Sequence, residues 1–161
     1  MEKRNILFVM SSLRNGGAER SLVNLLQLLD YDRYNVDLLL FQNEGMFLKQ
    51  VPKEVNIISN CNKLYTLYDN NKTEALKHPY LSVVHMIGTF ISRKKTNSVA
   101  KSRQYRWEHF YKKIIPELTK EYDVAIAYMQ REQTYFLVDK VKATKKIAWV
   151  HNEYSQLGHF K

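Results

Sequence analysis

The chain has 161 residues, 45% of them apolar, and a formal net charge of +9, which suits one domain with a real core and excludes an intrinsically disordered chain. Cys61 is the only cysteine, so an internal disulfide and a cysteine-based zinc site are excluded. No apolar run approaches the ~20 residues of a membrane-crossing helix. The charged start followed by Ile6 to Met10 imitates a signal peptide but is too short for one, and a cytoplasmic protein is expected.

Ile6 to Met10 is an uninterrupted apolar run, as expected of a parallel strand buried on both faces. After a polar loop comes the pair Gly16 and Gly17. Ala18, Leu22, Leu25, Leu26 and Leu29 then recur at helical spacing, with Glu19, Arg20, Asn24 and Gln27 turned away from them. Glycines just ahead of a helix leave bare backbone and free N–H groups for an anionic or sugar ligand. The pair can equally be a tight turn, because neither the dinucleotide pattern G-x-G-x-x-G nor a P-loop Lys-Ser/Thr is present. Asp30 to Tyr34 reads as the turn out of this helix, Asn35 to Phe41 as a second strand and Val55 to Ile58 as a third. Between them Met46 to Val51 forms a short segment closed by Pro52. Asp30 and Asp32 imitate a metal-binding Asp-x-Asp pair, but in a turn they need only local hydrogen bonds, and no metal is expected.

The pattern then loosens, with a turn at Asp69 to Lys72 and a boundary at His78 and Pro79. Tyr80, Val83, Val84, Ile87, Phe90 and Ile91 fit a helix with basic residues immediately after it. Trp107, Phe110, Tyr111, Ile114, Ile115 and Leu118 continue the helical period, and Pro116 is expected to kink or restart it. Asp123 to Tyr128 reads as a strand, Glu132 to Val141 as a helix and Lys146 to Val150 as the last strand. The alternation predicts an α/β fold: a Rossmann-like, doubly wound, mainly parallel sheet flanked by helices, in a single domain over residues 1–161.

In an open α/β sheet, ligands bind outside the carboxyl ends of the strands. Gly16 and Gly17 fall there, as do Gln130 and Arg131 after the fourth strand and His151, Asn152 and Glu153 after the last. An imidazole at such a position can donate to a substrate hydroxyl or phosphate. His151 can equally be an ordinary loop histidine, and Gln130 and Arg131 an N-capping loop. Glu132 with Glu153 would suggest hydrolysis if they met, yet nothing in their spacing brings them together.

Through Gly16 to Arg20 after the opening strand, Tyr122 to Ala127, and Trp149 to Tyr154, the chain resembles the N-terminal half of family 4 glycosyltransferases of the GT-B fold, over nearly its whole length. The resemblance implies the acceptor-side domain of a retaining enzyme. Such an enzyme transfers a sugar from a nucleotide-sugar donor to a glycan or lipid-linked acceptor, in bacterial surface polysaccharide synthesis. It implies no cofactor beyond the donor. Gly16 and Gly17 would lie near the donor diphosphate and the acceptor, and His151 would be the catalytic residue at the reacting sugar. Gln130, Arg131, Asn152 and Glu153 would line the same cleft. In the family a C-terminal domain holds most of the nucleotide, usually with a Glu-x7-Glu motif. No two glutamates here have that spacing, so that domain is expected to be missing from these residues and the chain alone to be inactive. A different class stays open, a non-catalytic nucleotide-binding or scaffold domain that partners a separate catalytic chain.

The excess charge gathers in Arg93, Lys94, Lys95, Lys101, Arg103, Arg106, Lys112 and Lys113, a set that attracts phosphates of any kind. Tyr105, Trp107, Phe110 and Tyr111 interleave with it, but aromatics at helical spacing serve a core more often than a stacking platform. No nucleic-acid motif accompanies them, and no nucleic-acid partner is expected. Tyr80 to Ile91 beside Arg93 to Lys95 suits an anionic membrane surface better, so peripheral association is expected, with packing inside the domain as the alternative.

Overall fold

A computed structural model describes residues 2–58, 67 and 78–151. In chain order its elements are β1 (Arg4–Met10), α1 (Gly17–Leu28), β2 (Tyr34–Leu40), a 3-10 turn (Leu48–Gln50), β3 (Asn56–Ile58), α2 (Pro79–Lys95), α3 (Val99–Arg106), a π-helical turn (Trp107–Tyr111) with a last helical turn (Lys112–Ile114), β4 (Glu121–Ala127), α4 (Glu132–Lys140) and β5 (Lys142–Ala148). Two compact units emerge, Met1–Asn60 with Glu117–His151, and Cys61–Pro116 with Asn152–Lys161. The turn read at Asp69 to Lys72 lies outside the described residues.

The first unit is the α/β sheet the sequence calls for. Its five strands are all parallel, in the order β3-β2-β1-β4-β5. This is a Rossmann-like, doubly wound arrangement, and the strand order reverses between β1 and β4. Phe8, Met10, Val36, Leu38 and Leu40 turn to one face, where Leu22, Val23 and Leu26 of α1 cover them. Leu7, Val9 and Leu39, equally buried, turn to the other, where Phe41 meets Phe136 of α4 edge-on at 5.8 Å. Residues buried on both sides of a strand explain why β1 and β2 read as continuous apolar runs.

β5 begins at Lys142 rather than Lys146. Of its first four residues, Lys142, Thr144 and Lys145 are polar and exposed, and only Ala143 is half-buried, in keeping with an outer strand. Along β4 the alternation of burial slips by one residue at Asp123, whose carboxylate accepts the Asn5 N–H at 2.7 Å. The Tyr122 hydroxyl donates to Asp37 Oδ2 at 2.7 Å, alongside Lys120 Nζ at 2.9 Å. Asn56 donates to the other oxygen at 2.9 Å. Burial alone would raise the Asp37 carboxyl, but the hydrogen bonds from Lys120, Asn56 and Tyr122 and the Lys120 charge outweigh it and hold the group below the ordinary carboxylate range. Tyr122 moves upward, through burial first and then through Asp37.

In the second unit, Pro79 opens α2 at a first-turn position that needs no N–H. Ser98 caps α3 by accepting from Lys101 N–H at 3.2 Å. The two helices meet where Gly88 lies against Phe110 and Arg106, and where Ser102 donates to Ser92 across 2.7 Å. The helical period does continue past Arg106, through a π turn in which Lys112 N–H bonds Trp107 C=O and which buries Trp107 and Tyr111. It stops before Leu118, which was expected to belong to it. Ile115 is extended (φ −78°, ψ 124°), because the residue ahead of Pro116 is barred from the helical region.

Candidate functional site

The loop from β1 to α1 is held from the side by the loop after β2. Phe41 N–H bonds Met10 C=O (3.1 Å) and Gln42 N–H bonds Ser11 C=O (2.7 Å). Leu13 then both donates to Glu44 C=O (2.9 Å) and accepts from Phe47 N–H (3.1 Å). Gly45 makes this clasp possible: its φ of +131° suits glycine, and a Cβ there would strike the Leu13 backbone. Leu13 is fully buried. The Arg14–Glu44 ion pair on the outside is exposed and adds little.

Beyond this clasp come half-buried Gly16 and exposed Gly17 at the start of α1. Gly16 is the N-cap of α1 and offers no side-chain acceptor, so the first N–H groups of the helix are uncapped by it. The two glycines differ in what requires them. A Cβ on Gly16 would run into the Glu19 carboxylate, which folds back over the helix start and suits its positive end. A Cβ on Gly17 would meet nothing within 4 Å. Nothing in the packing demands a glycine at Gly17.

The second half of the site comes from the carboxyl ends of β4 and β5. Tyr128 N–H bonds Val9 C=O (3.0 Å) and Trp149 N–H bonds Ala127 C=O (2.8 Å), so both aromatics sit one step past the sheet. Tyr128 reaches α1 through its hydroxyl, 3.0 Å from Ser21 Oγ. His151 then lies against Tyr128 (ring centroids 4.9 Å apart) and stacks near-parallel to Trp149 at 6.1 Å. Its Nε2 is buried with no hydrogen-bond partner among the described residues, and so is Oε1 of Gln130. Buried polar atoms are paired as a rule, and unpaired ones are costly.

Arg131, by contrast, is an exposed side chain on a strained backbone: φ is 82° and ψ −122°, unfavourable for any residue with a Cβ. As N-cap of α4 it accepts from Thr134 N–H and Tyr135 N–H through its carbonyl (3.0 and 3.1 Å). The capping-loop reading of that position therefore holds for the backbone. Glu132 is buried in the first turn of α4. Asn152 and Glu153 lie outside the described residues.

Gly16, Gly17, Gln130, Arg131 and His151 all follow the carboxyl ends of strands on either side of the β1/β4 reversal, where doubly wound sheets bind ligands. Ser21, Tyr128 and Trp149 were not foreseen as parts of this region. The β4–β5 register pairs Ala127 with Ala148 and so makes the next residues, Tyr128 and Trp149, neighbours, which no local sequence pattern announces.

A separate pocket of about 340 Å³ opens at the amino ends of the strands, among Lys3, Tyr34, Glu54, Asn56, Asp37 and Lys120. Its one buried charge, Asp37, already has three donors. Asp30 and Asp32 form a local turn in which Asp30 Oδ1 accepts Asp32 N–H at 3.0 Å. Among the described residues no group of three His, Cys, Asp or Glu side chains could hold a metal ion.

Neither known protein-family models nor curated proteins give a match to this chain. Fold and site together define a Rossmann-like α/β domain with a glycine-led helix start and a histidine at the sheet's carboxyl edge.

Proposed function

We propose that this chain is the acceptor-side half of a retaining glycosyltransferase similar to family 4, which moves a sugar from a nucleotide-sugar to a hydroxyl of a glycan or lipid-linked acceptor. The observation that carries the reading is His151 Nε2, buried and unpartnered among the described residues at the carboxyl edge of the sheet. It is held in place by Tyr128 and Trp149, and Tyr128 ties it to α1, whose N-terminus is uncapped by Gly16. Breaking a glycosidic bond builds positive charge on the sugar and negative charge on the leaving diphosphate. The positive N-terminus of α1 suits the diphosphate once the Glu19 carboxylate folded over it gives way, and a positioned imidazole suits a sugar hydroxyl. Most of the nucleotide belongs, on this reading, to a second domain.

His151→Ala in the protein joined to its nucleotide-binding half tests the assignment. Turnover should fall by at least ten-fold, roughly the contribution of one positioned polar group, while the dissociation constant of the nucleotide stays within about two-fold. A parallel loss of nucleotide binding would show that His151 serves the nucleotide, and unchanged turnover would remove it from the reaction.

A further inference from the structure

Helix α2 covers Leu81 and half-covers Val84 and Ile91 on one side, and leaves a second apolar face exposed. Its buried positions are Leu81, Gly88 and Ser92, one large apolar side chain among three. Tyr80, Val83, Met86, Ile87 and Phe90 are instead 67%, 47%, 65%, 46% and 61% exposed. Tyr80, Val83, Ile87 and Phe90 follow the i, i+3, i+7, i+10 spacing of a single helix face, and Met86 lies beside them. Scattered exposed apolar residues need no explanation; a continuous stripe does.

Charge identifies the occupant. Residues 78–116 hold eight Lys and Arg residues against a single acid, Glu108. Arg93, Lys94 and Lys95 are exposed at the end of the same helix, and Lys94 Nζ sits 4.5 Å from the Phe90 ring centroid, which joins the cations to the apolar face. A second copy of the chain would set Arg93, Lys94 and Lys95 of one copy against those of the other. A nucleic acid would take the cations and leave the stripe in water. An anionic bilayer satisfies both, with phosphates for the cations and an acyl boundary for the stripe.

We propose that α2 lies along an anionic lipid surface, with Tyr80, Val83, Met86, Ile87 and Phe90 inserted to the acyl boundary and Arg93, Lys94 and Lys95 among the headgroup phosphates. No helix among the described residues is long and apolar enough to cross a membrane, so the attachment is shallow and reversible. It is independent of the proposed chemistry, because none of these residues belongs to the carboxyl-edge site.

The full chain is cosedimented with vesicles of phosphatidylcholine alone and of phosphatidylcholine mixed with phosphatidylglycerol, at low and high salt. Binding should require phosphatidylglycerol and weaken with salt. The triple variant R93Q/K94Q/K95Q should bind roughly a hundred-fold more weakly, and Ile87→Ala with Phe90→Ala roughly ten-fold more weakly or worse. All five side chains are on the surface, so circular dichroism should show an intact fold. Equal binding to both vesicle types overturns the proposal. So does binding that ignores the Ile87 and Phe90 changes, which would mean charge alone. Absence of vesicle binding together with self-association that these two changes abolish would assign the stripe to a contact between copies.

Discussion

Gly17 and Gly45 allow a sharp separation of folding from function. At Gly17, the first residue of α1, an added Cβ meets nothing within 4 Å. Gly17→Ala should therefore stabilise the sheet unit by about 0.5–1 kcal/mol, because it restricts the unfolded chain without straining the folded one, which raises the melting temperature by roughly 2–4 °C for a chain of this size. If a ligand approaches the helix start closely enough to accept a backbone N–H, Gly17→Val should push it away. Losing one hydrogen bond to a charged oxygen costs about 1.5–3 kcal/mol, roughly ten- to a hundred-fold in kcat/KM. At Gly45 the same kind of change is structural: a φ of +131° and a Cβ against the Leu13 backbone should cost at least about 2 kcal/mol and release the clasp that holds the glycine loop. The assays are thermal unfolding for both variants and sugar transfer by the protein joined to its nucleotide-binding half. A Gly17→Val variant that folds and transfers sugar at the parental rate would refute the reasoning, since the glycine would then serve neither packing nor ligand.

Asp37→Leu strands the buried Tyr122 hydroxyl, so it should destabilise the sheet unit by about 2–4 kcal/mol, whereas Lys120→Met removes one of three donors from Asp37 and leaves Asn56 and Tyr122 in place, so it should cost less, about 1–2 kcal/mol; amide hydrogen exchange in β1, β2 and β4 reads both, and equal costs would contradict the assignment. Because the folded Asp37 carboxyl sits below its unfolded value, its stabilisation is complete above roughly pH 4 and is lost as pH falls through the depressed folded value. His85 titrates the second unit. Burial lowers its pKa and the Arg106 charge lowers it further, against the opposing hydrogen bond to Leu67 C=O, so α2 should lose protection as pH drops below roughly 6.5, the unfolded histidine value, and a flat exchange profile between pH 7 and 5.5 would deny it. Arg131→Gly relieves a backbone that favours glycine and should leave the fold as stable as before or up to about 1 kcal/mol more stable, measured by urea midpoint; a clear loss would mean that the side chain, not the backbone, is what the position needs.

What could be read from the sequence follows from where each element sits. β1 and β2 are central and dry on both faces, so their apolar runs name them. β5 is an outer strand, and Lys142 to Lys145 carry no apolar strand pattern because all but half-buried Ala143 are exposed. The π turn at Trp107 to Tyr111 is a slip in backbone hydrogen bonding that preserves the aromatic spacing, so periodicity alone continues through it; Pro116 gave the true stop. The cluster around Asp37 joins residues 83 and 85 positions apart, which no local pattern announces. In the candidate site, Gly16, Gly17 and His151 were legible as residues after strand ends, whereas the support that Ser21, Tyr128 and Trp149 give to His151 needed the sheet's register. The outward turn of α2 was invisible to periodicity, which finds a stripe but not the side that is covered.

β5 is exposed from Lys142 to Ala148 except at half-buried Ala143. An outer strand offers a ladder on which another chain can grow. Here Lys142 and Lys146 on one face and Lys145 on the other guard it, since a second copy docking there would bring its own lysines close to them. The safeguard depends on those charges staying bare. Neutralising those charges would remove the repulsion and leave the strand's ladder as open to pairing as any unguarded edge.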